Sequence, residues 1–152
     1  MLHSLLSRDH LSVISAVSPE GDLYLEVRET AFDSAGIIEF LESLLSQIVG
    51  NLVVVWDGAP IHRSKLVKSY LAEGAARRIH LERLPGYAPE LNPDEGIWQY
   101  LKHVEMKNLC CTDRLHLREQ LGEAVSRIRA KPEIIKACFK QTGYFRDLPR
   151  HQ

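Results

Sequence analysis

The chain has 152 residues, of which 45% are apolar and 26% are charged, a composition typical of one globular domain. No apolar run approaches the roughly 20 residues that cross a bilayer. The first ten residues, MLHSLLSRDH, lack the basic region and the cleavage site of an export signal. We therefore expect a cytoplasmic protein without a membrane partner. Three cysteines without C-x-x-C spacing exclude a disulfide framework and a cysteine zinc site.

The net charge of −1 conceals an uneven distribution. Residues 1–60 carry 2 basic and 9 acidic side chains, whereas residues 61–152 carry 17 basic and 11 acidic ones. A positive half can lie beside nucleic-acid phosphates. Lys65, Lys68 and Lys102 are candidate DNA contacts, although lysines on helix faces are usually only solvated.

The first half of the chain predicts a hairpin, a helix and a strand. Residues 11–17 and 23–29 flank the turn SPEGD, which indicates a β-hairpin. Asp33 is placed to cap a helix that Gly50 ends. Residues 51–57, NLVVVWD, have no polar face, so we expect a central strand. Its three valines should be buried and flanked by two pairs of candidates, Ile14 or Val13 and Ile79 or Leu81.

The second half predicts a strand over residues 78–85 and four helices. The first, residues 63–74, should turn Leu66, Val67, Tyr70 and Leu71 inward. Asn92 and Pro93 form a typical helix start, and the helix that follows should place one apolar face inward (Ile97, Trp98, Leu101 and Val104). Two further helices are expected over 113–129 and 132–141. The element order β-β-α-β-α-β-α-α-α predicts an α/β fold with a mixed sheet and flanking helices.

Two carboxylates stand at element ends that this order can bring together. Asp57 ends the apolar strand, and sites in open α/β sheets lie beyond the carboxyl ends of strands. Glu95 and Asp94 lie in the first turn of a helix, where the helix dipole stabilises negative charge. From spacing alone a structural explanation stays open, because aspartate often caps turns and acids are common at helix starts.

The motifs around these acids resemble a known family. WDGAPIH and LERLPGYAPELNPDEGIWQYLK are similar to the DDE transposases of the mariner-like superfamily and the related bacterial insertion sequences. That family has a strand ending in Asp, then Leu-Pro, an aromatic residue, Leu-Asn-Pro, an acid two places on, and a Trp with Leu-Lys behind it. The resemblance spans residues 11–110.

The resemblance implies a ribonuclease-H-like fold and metal-dependent DNA strand cleavage and transfer. Carried over by position, Asp57 is the second acid of the family's triad and Glu95 the third, both as metal ligands. The implied cofactor is a pair of Mg²⁺ ions, which clamp the attacking and leaving oxygens. We expect the two carboxylates to lie roughly 4–8 Å apart, as two-metal chemistry requires. The implied partners are DNA, both transposon ends and target, and a homodimer is possible.

Three neighbouring residues are candidates for supporting the metal site by hydrogen bonds: His62, Asn92 and Asp94. His62 fits a turn equally well. Asp94 occupies a place that the family usually fills with an apolar residue, so we expect it to point away from Asp57. If it points inward instead, it takes the role of the third acid. Tyr87 and Trp98 are expected to be packing residues.

The resemblance also implies a first acid on an opening strand, and none is recognisable here. Residues 1–10 show no strand, and Asp9, Asp22 and Asp33 lie outside any suitable strand. No helix-turn-helix is recognisable either. We therefore expect one truncated catalytic domain over residues 1–152, begun at an internal methionine or cut by a frameshift, with 1–10 as a remnant, 111–152 as C-terminal helices and the first strand of the fold lacking. Such a chain should bind Mg²⁺ weakly and be inactive alone.

Two other interpretations remain. The chain could be another metal-dependent nuclease or a phosphatase that uses Asp57, although DGAPIH lacks the D-x-D pair expected of an aspartyl-phosphate enzyme. It could also be a non-catalytic DNA-binding or assembly module derived from a transposase. DNA binding that is indifferent to Mg²⁺ and to loss of Glu95 would favour the module.

Overall fold

A computed structural model of the chain describes residues 2–5, 11–57, 64–74, 77–86 and 88–143. Three antiparallel strands come first: β1 (Leu2–Leu5), β2 (Leu11–Val17) and β3 (Leu23–Arg28). They form one sheet in the order β1-β2-β3. The hairpin predicted over residues 11–29 is confirmed, because β2 pairs with β3 from Ser12↔Arg28 to Val17↔Leu23.

The expectation that residues 1–10 contain no strand is wrong. β1 pairs with β2 from Leu2↔Ile14 to Leu5↔Leu11. A strand of four residues is too short to show a periodic pattern, and it forms because β2 offers a free edge. The four residues of β1, Leu-His-Ser-Leu, include no carboxylate.

The remaining elements are two parallel strands and five helices. Helix α1 (Ser34–Gln47) precedes β4 (Leu52–Trp56), and α2 (Lys65–Ala72) leads to β5 (Ile79–Arg83). A 3₁₀ turn (Pro89–Leu91) leads into α3 (Pro93–Tyr100), which continues as a π-helical segment (Leu101–Glu105). Helices α4 (Arg114–Arg129) and α5 (Pro132–Thr142) follow. Asp33 and Asn92 cap α1 and α3 as predicted. In these described stretches, no helix has the length and apolar character that a membrane span requires.

The two faces of the β1–β3 sheet bury two separate apolar clusters. Leu11, Val13 and Leu23 pack with α3, α4 and α5. Ile14 turns to the other face and packs with α1, Val67 of α2 and Ile79 of β5. Because successive strand residues point to opposite faces, one strand, β2, contributes to both clusters.

The prediction that β4 is a buried central strand is wrong. Val53 and Val55 are 67% and 54% exposed. β4 pairs in parallel with β5, through Leu52↔Ile79 and Val54↔Leu81, and has no second partner strand among the described residues. The face that carries Leu52, Val54 and Trp56 packs against the apolar cluster that Ile14 forms with α1, Val67 and Ile79. Ile79 and Leu81 therefore flank β4 as expected, but neither Ile14 nor Val13 does.

Two inward positions of helices were also misassigned. Leu66 is 53% exposed, and Val104 is 57% exposed. Val104 lies in the π-helical segment, whose wider turn rotates it away from the face that buries Ile97, Trp98 and Leu101.

Candidate active site

Asp57 follows β4 directly and is half-buried. Its position is fixed by the parallel pairing of β4 and β5, which continues past the last ladder pair. The amide of Leu84 donates to the carbonyl of Trp56 at 2.9 Å. This hydrogen bond fixes the backbone of the residue that directly precedes Asp57. Gly58 and His62 lie outside the described residues. The supporting role expected of His62 therefore stays a prediction.

Glu95 lies in the first turn of α3, and the 3₁₀ turn and the Asn92 cap before it fix its position. The 3₁₀ turn ends with the Asn92 amide donating to the carbonyl of Pro89 at 3.0 Å. The Asn92 side chain accepts from the amide of Asp94 at 3.1 Å, and its carbonyl accepts from the amide of Glu95 at 3.1 Å. Asn92 thus acts as the helix cap, and Glu95 is half-exposed at the third helical position.

Asp94 points into the molecule. The residue is 5% exposed, and the Ser15 hydroxyl donates to its two carboxylate oxygens, at 2.9 Å to Oδ1 and 2.8 Å to Oδ2. The indole N–H of Trp98 donates to the same Ser15 oxygen at 3.0 Å. We call these three side chains the Ser15–Asp94–Trp98 cluster. Instead of a bystander, Asp94 is a buried carboxylate fixed to the sheet.

Burial raises the pKa of the Asp94 carboxyl above its ordinary value, while hydrogen bonds from Ser15 and Trp98 work in the opposite direction. The negative charge of Asp57 raises the pKa of Asp94 further. Burial also raises the pKa of Glu95, and the charges of Asp94 and Asp57 add to that effect while Lys102 opposes it. The three carboxylates therefore lie within electrostatic reach of one another.

Helix α5 closes the other side of the α3 start. A Cβ atom added at Gly96 would lie 2.8 Å from Cys138 Sγ and 3.2 Å from Cys138 Cβ. Gly96 thus permits an approach of the two helices that a larger residue would obstruct. A cavity of about 380 Å³ lies between these elements, lined by Glu95, Asn92 and residues of α5 that include Gln141 and Thr142.

The other candidates among the described residues lie on other elements or pack in the core. Lys65 and Lys68 are exposed on α2. Asp22 accepts from the Ser18 hydroxyl in the β2–β3 turn, and Asp33 caps α1 through the amide of Gly36. Trp98 is buried packing as predicted, while Tyr87 and Asp9 lie outside the described residues. In the part of the chain that the structure describes, no three His, Cys, Asp or Glu side chains are grouped to hold a metal ion.

Ser15 was missed by sequence reasoning, although a signal for it exists. It is 4% exposed and alternates with Leu11 and Val13, so it belongs to the buried face of β2. A hydroxyl at such a position needs a hydrogen-bond partner. The sequence does not indicate which partner, because Asp94 lies 79 residues away.

The fold and the motifs around these acids agree with one known protein family. The family model for DDE superfamily endonucleases matches residues 2–116, and the chain belongs to this family. No curated protein matches the chain.

Solved structures with the same fold come from the Mos1 mariner transposase. Its catalytic domain matches with a TM-score of 0.65 and 15% identity, covering 94% of this chain and 80% of that one. The same domain solved with raltegravir and Mn matches at 0.63 and 18%, covering 95% and 82%. The Mos1 paired-end complex with Mn matches at 0.60 and 16%, covering 90% of this chain but 45% of that one. The resemblance drawn from the motifs and the predicted ribonuclease-H-like fold are confirmed.

Proposed function

We propose that this chain provides the catalytic carboxylates of a DDE-type transposase that cleaves and transfers DNA strands with a divalent metal ion. The observation that carries the proposal is that Asp57, at the end of β4, lies close enough to Glu95, at the start of α3, for its charge to raise the pKa of Glu95. The two residues come from distant parts of the sequence, and the position of each is set by local structure: strand pairing for Asp57 and helix capping for Glu95.

The donor set suits a hard cation. Asp57 and Glu95 would hold it through carboxylate oxygens, the ligands that Mg²⁺ and Mn²⁺ prefer. Burial is the main cause of the raised pKa of Glu95, and the repulsion from Asp94 and Asp57 that adds to it would be relieved by a positive ion bound nearby. A bound ion supplies Lewis-acid stabilisation of phosphodiester oxygens. The Mos1 domain that shares the fold was solved with Mn, which supports the assignment of a divalent metal.

DNA is the proposed substrate and partner. The Mos1 paired-end complex is one support. Lys102 is another, because it is exposed and its charge acts on Glu95. A cation beside two acids can bind a DNA phosphate without competing for the carboxylate oxygens, so Lys102 would orient the substrate backbone.

We further propose that Asp57 and Glu95 are two members of a set of three acids. The supporting observation is that Asp22 and Asp33 already act in a turn and as a helix cap, at positions determined by their own local structure. Asp94 points inward, which is the condition for it to take the role of the third acid, but both of its oxygens accept from Ser15, so we assign that role to Glu95.

The test is metal binding rather than turnover, because Asp57 and Glu95 can hold one ion loosely without the first acid of the triad. Mn²⁺ affinity is measured by the electron paramagnetic resonance signal of the free ion, for the chain and for Asp57→Asn and Glu95→Gln. Each substitution should weaken binding by at least about tenfold, since even outer-shell changes at metal sites cost that much. Glu20→Gln, which removes an exposed acid of the β2–β3 turn, is the matched control. Equal Mn²⁺ affinity in all four proteins would refute the site.

A plasmid-nicking assay tests the number of acids. The unextended chain is expected to show no Mg²⁺- or Mn²⁺-dependent nicking, because in-line displacement needs the attacking and leaving oxygens stabilised together. Robust nicking that is lost in Asp57→Ala would show that the chain is complete in its acids, and Asp9, Asp22 and Asp33 would then be the candidates to replace in turn.

A further inference from the structure

Glu95 is the candidate metal ligand at the start of α3. It is half-buried, and a glutamate side chain has three rotatable bonds. A metal ligand must nevertheless be held in one geometry before the ion arrives. Its two sequence neighbours, Asp94 and Gly96, are both fixed against other elements.

Asp94 ties the start of α3 to the sheet. Its carboxylate is bound by Ser15 of β2, and Ser15 is in turn bound by Trp98, one helical turn further along α3. Two side chains of α3, four residues apart on one face, therefore meet at a single hydroxyl. This arrangement fixes both the position of the helix and its rotation about its own axis.

Gly96 ties the same turn to α5. Cys138 lies so close to it that even a methyl group would be crowded, and Cys138 is buried. Glu95 thus lies between one residue hydrogen-bonded to β2 and another packed on α5. Rotation of the first turn of α3 would break one contact or the other.

We propose that the Ser15–Asp94–Trp98 cluster is a positioning unit that sets the direction of Glu95. The inference rests on the proposed function, because it assigns the cluster to the site that Asp57 and Glu95 form. Asp94 is a positioning residue in this scheme. It contacts neither metal nor DNA, and it acts through the backbone of its neighbour.

The first readout is the side chain of Glu95 in the metal-free protein. Three-bond couplings from nuclear magnetic resonance report the χ1 rotamer populations of Glu95. One rotamer should dominate in the parent chain, and Ser15→Ala should give averaged couplings. Ser15→Thr keeps the hydroxyl and should restore the parent values, even though its extra methyl is crowded. If Ser15→Ala does not fold, Trp98→Phe removes the indole donor together with part of the buried ring and should shift the couplings in the same direction.

The second readout is Mn²⁺ affinity. Ser15→Ala should weaken it by about tenfold to hundredfold, the range seen when the groups that orient metal ligands are lost, and Ser15→Thr should restore it. The control is Val67→Ala, in the core cluster on the opposite face of the sheet, used at a temperature where its folded fraction equals that of Ser15→Ala. It should change neither the affinity nor the couplings.

The two proposals fail in different ways. Mn²⁺ binding that ignores Asp57→Asn and Glu95→Gln would overturn the proposed function, and the Glu95 couplings would still decide whether the cluster positions the side chain. Parent-like couplings in Ser15→Ala, or an equal shift in Val67→Ala, would overturn the positioning role while leaving the metal site intact.

Discussion

Replacing Gly96 with alanine should destabilise the protein, contrary to the usual effect of this substitution in a helix. Alanine is ordinarily about 1 kcal/mol better than glycine inside a helix. Here the new methyl group would lie 2.8 Å from Cys138 Sγ, whereas nonbonded carbon atoms prefer about 3.5–4.0 Å. Overpacking of this kind costs about 1–3 kcal/mol. The net loss of unfolding free energy should therefore be about 1 kcal/mol, or a fall in Tm of roughly 2–4 °C.

A double-mutant cycle tests whether contact with Cys138 causes this loss of stability. In Cys138→Ala the sulfur is gone, and the remaining contact of the new methyl is with Cys138 Cβ at 3.2 Å, which a shift of a few tenths of an ångström relieves. Gly96→Ala should then become neutral or stabilising by up to about 1 kcal/mol. The coupling energy between the two positions should be about 1–3 kcal/mol, equal to the overpacking cost.

Gly122 provides the matched control for this cycle. It lies in α4, and a Cβ atom there would meet nothing within 4 Å. Gly122→Ala should therefore show the ordinary helix gain in urea unfolding. If Gly96→Ala stabilises the protein as much as Gly122→Ala does, the close packing of α5 on α3 is refuted. One of the two contacts that confine the first turn of α3 would then be lost.

Three further predictions concern other parts of the molecule. The Arg78 guanidinium donates to three backbone carbonyls at and after the end of α1, at 2.6–3.1 Å. In urea unfolding, Arg78→Ala should therefore lower the unfolding free energy by roughly 2 kcal/mol. Arg78→Lys should recover only part of this loss. The exposed apolar face of β4 should promote self-association, which light scattering should show to fall in Val53→Lys but not in Val49→Lys, a change at a residue that is 99% exposed. Because burial raises the folded-state pKa of Asp94, the folded chain binds a proton there at higher pH than the unfolded chain does. The wild type should therefore gain stability relative to Asp94→Asn as the pH falls from 7 toward the ordinary aspartate range, and parallel urea midpoints from pH 7 to 4 would contradict this.

Local chemistry made the elements that carry these carboxylates predictable. Consecutive residues determine the start of α3. Asn92 supplies the capping oxygen, Pro93 has a fixed φ angle, and Asp94 and Glu95 carry charges that are favourable in the first turn. Asp57 follows a short run of β-branched residues that is typical of a strand. Such features depend on neighbours a few residues apart, so the sequence contains all the information that determines them.

Properties that depend on which elements cover one another were not predictable. Val53 and Val55 have the composition of a buried strand, yet their face is exposed because covering it requires a second layer that β4 does not meet among the described residues. Val104 faces outward because it lies in a π-helical segment, which the sequence did not indicate. In each case the apolar pattern specified an element correctly, while exposure was decided by tertiary packing.

The position of Asp94 shows how the two kinds of information combine. By local rules it is simply an acid favoured at a helix start, and nothing nearby distinguishes it from Glu95. The fold then places Ser15 on the inward face of β2, where its hydroxyl needs a partner and Asp94 can supply one. Asp94 is buried, while its neighbour Glu95 is half-buried at the start of α3. The two adjacent carboxylates thus acquire different surroundings: Asp94 is hydrogen-bonded to β2, and Glu95 lines the cavity between α3 and α5.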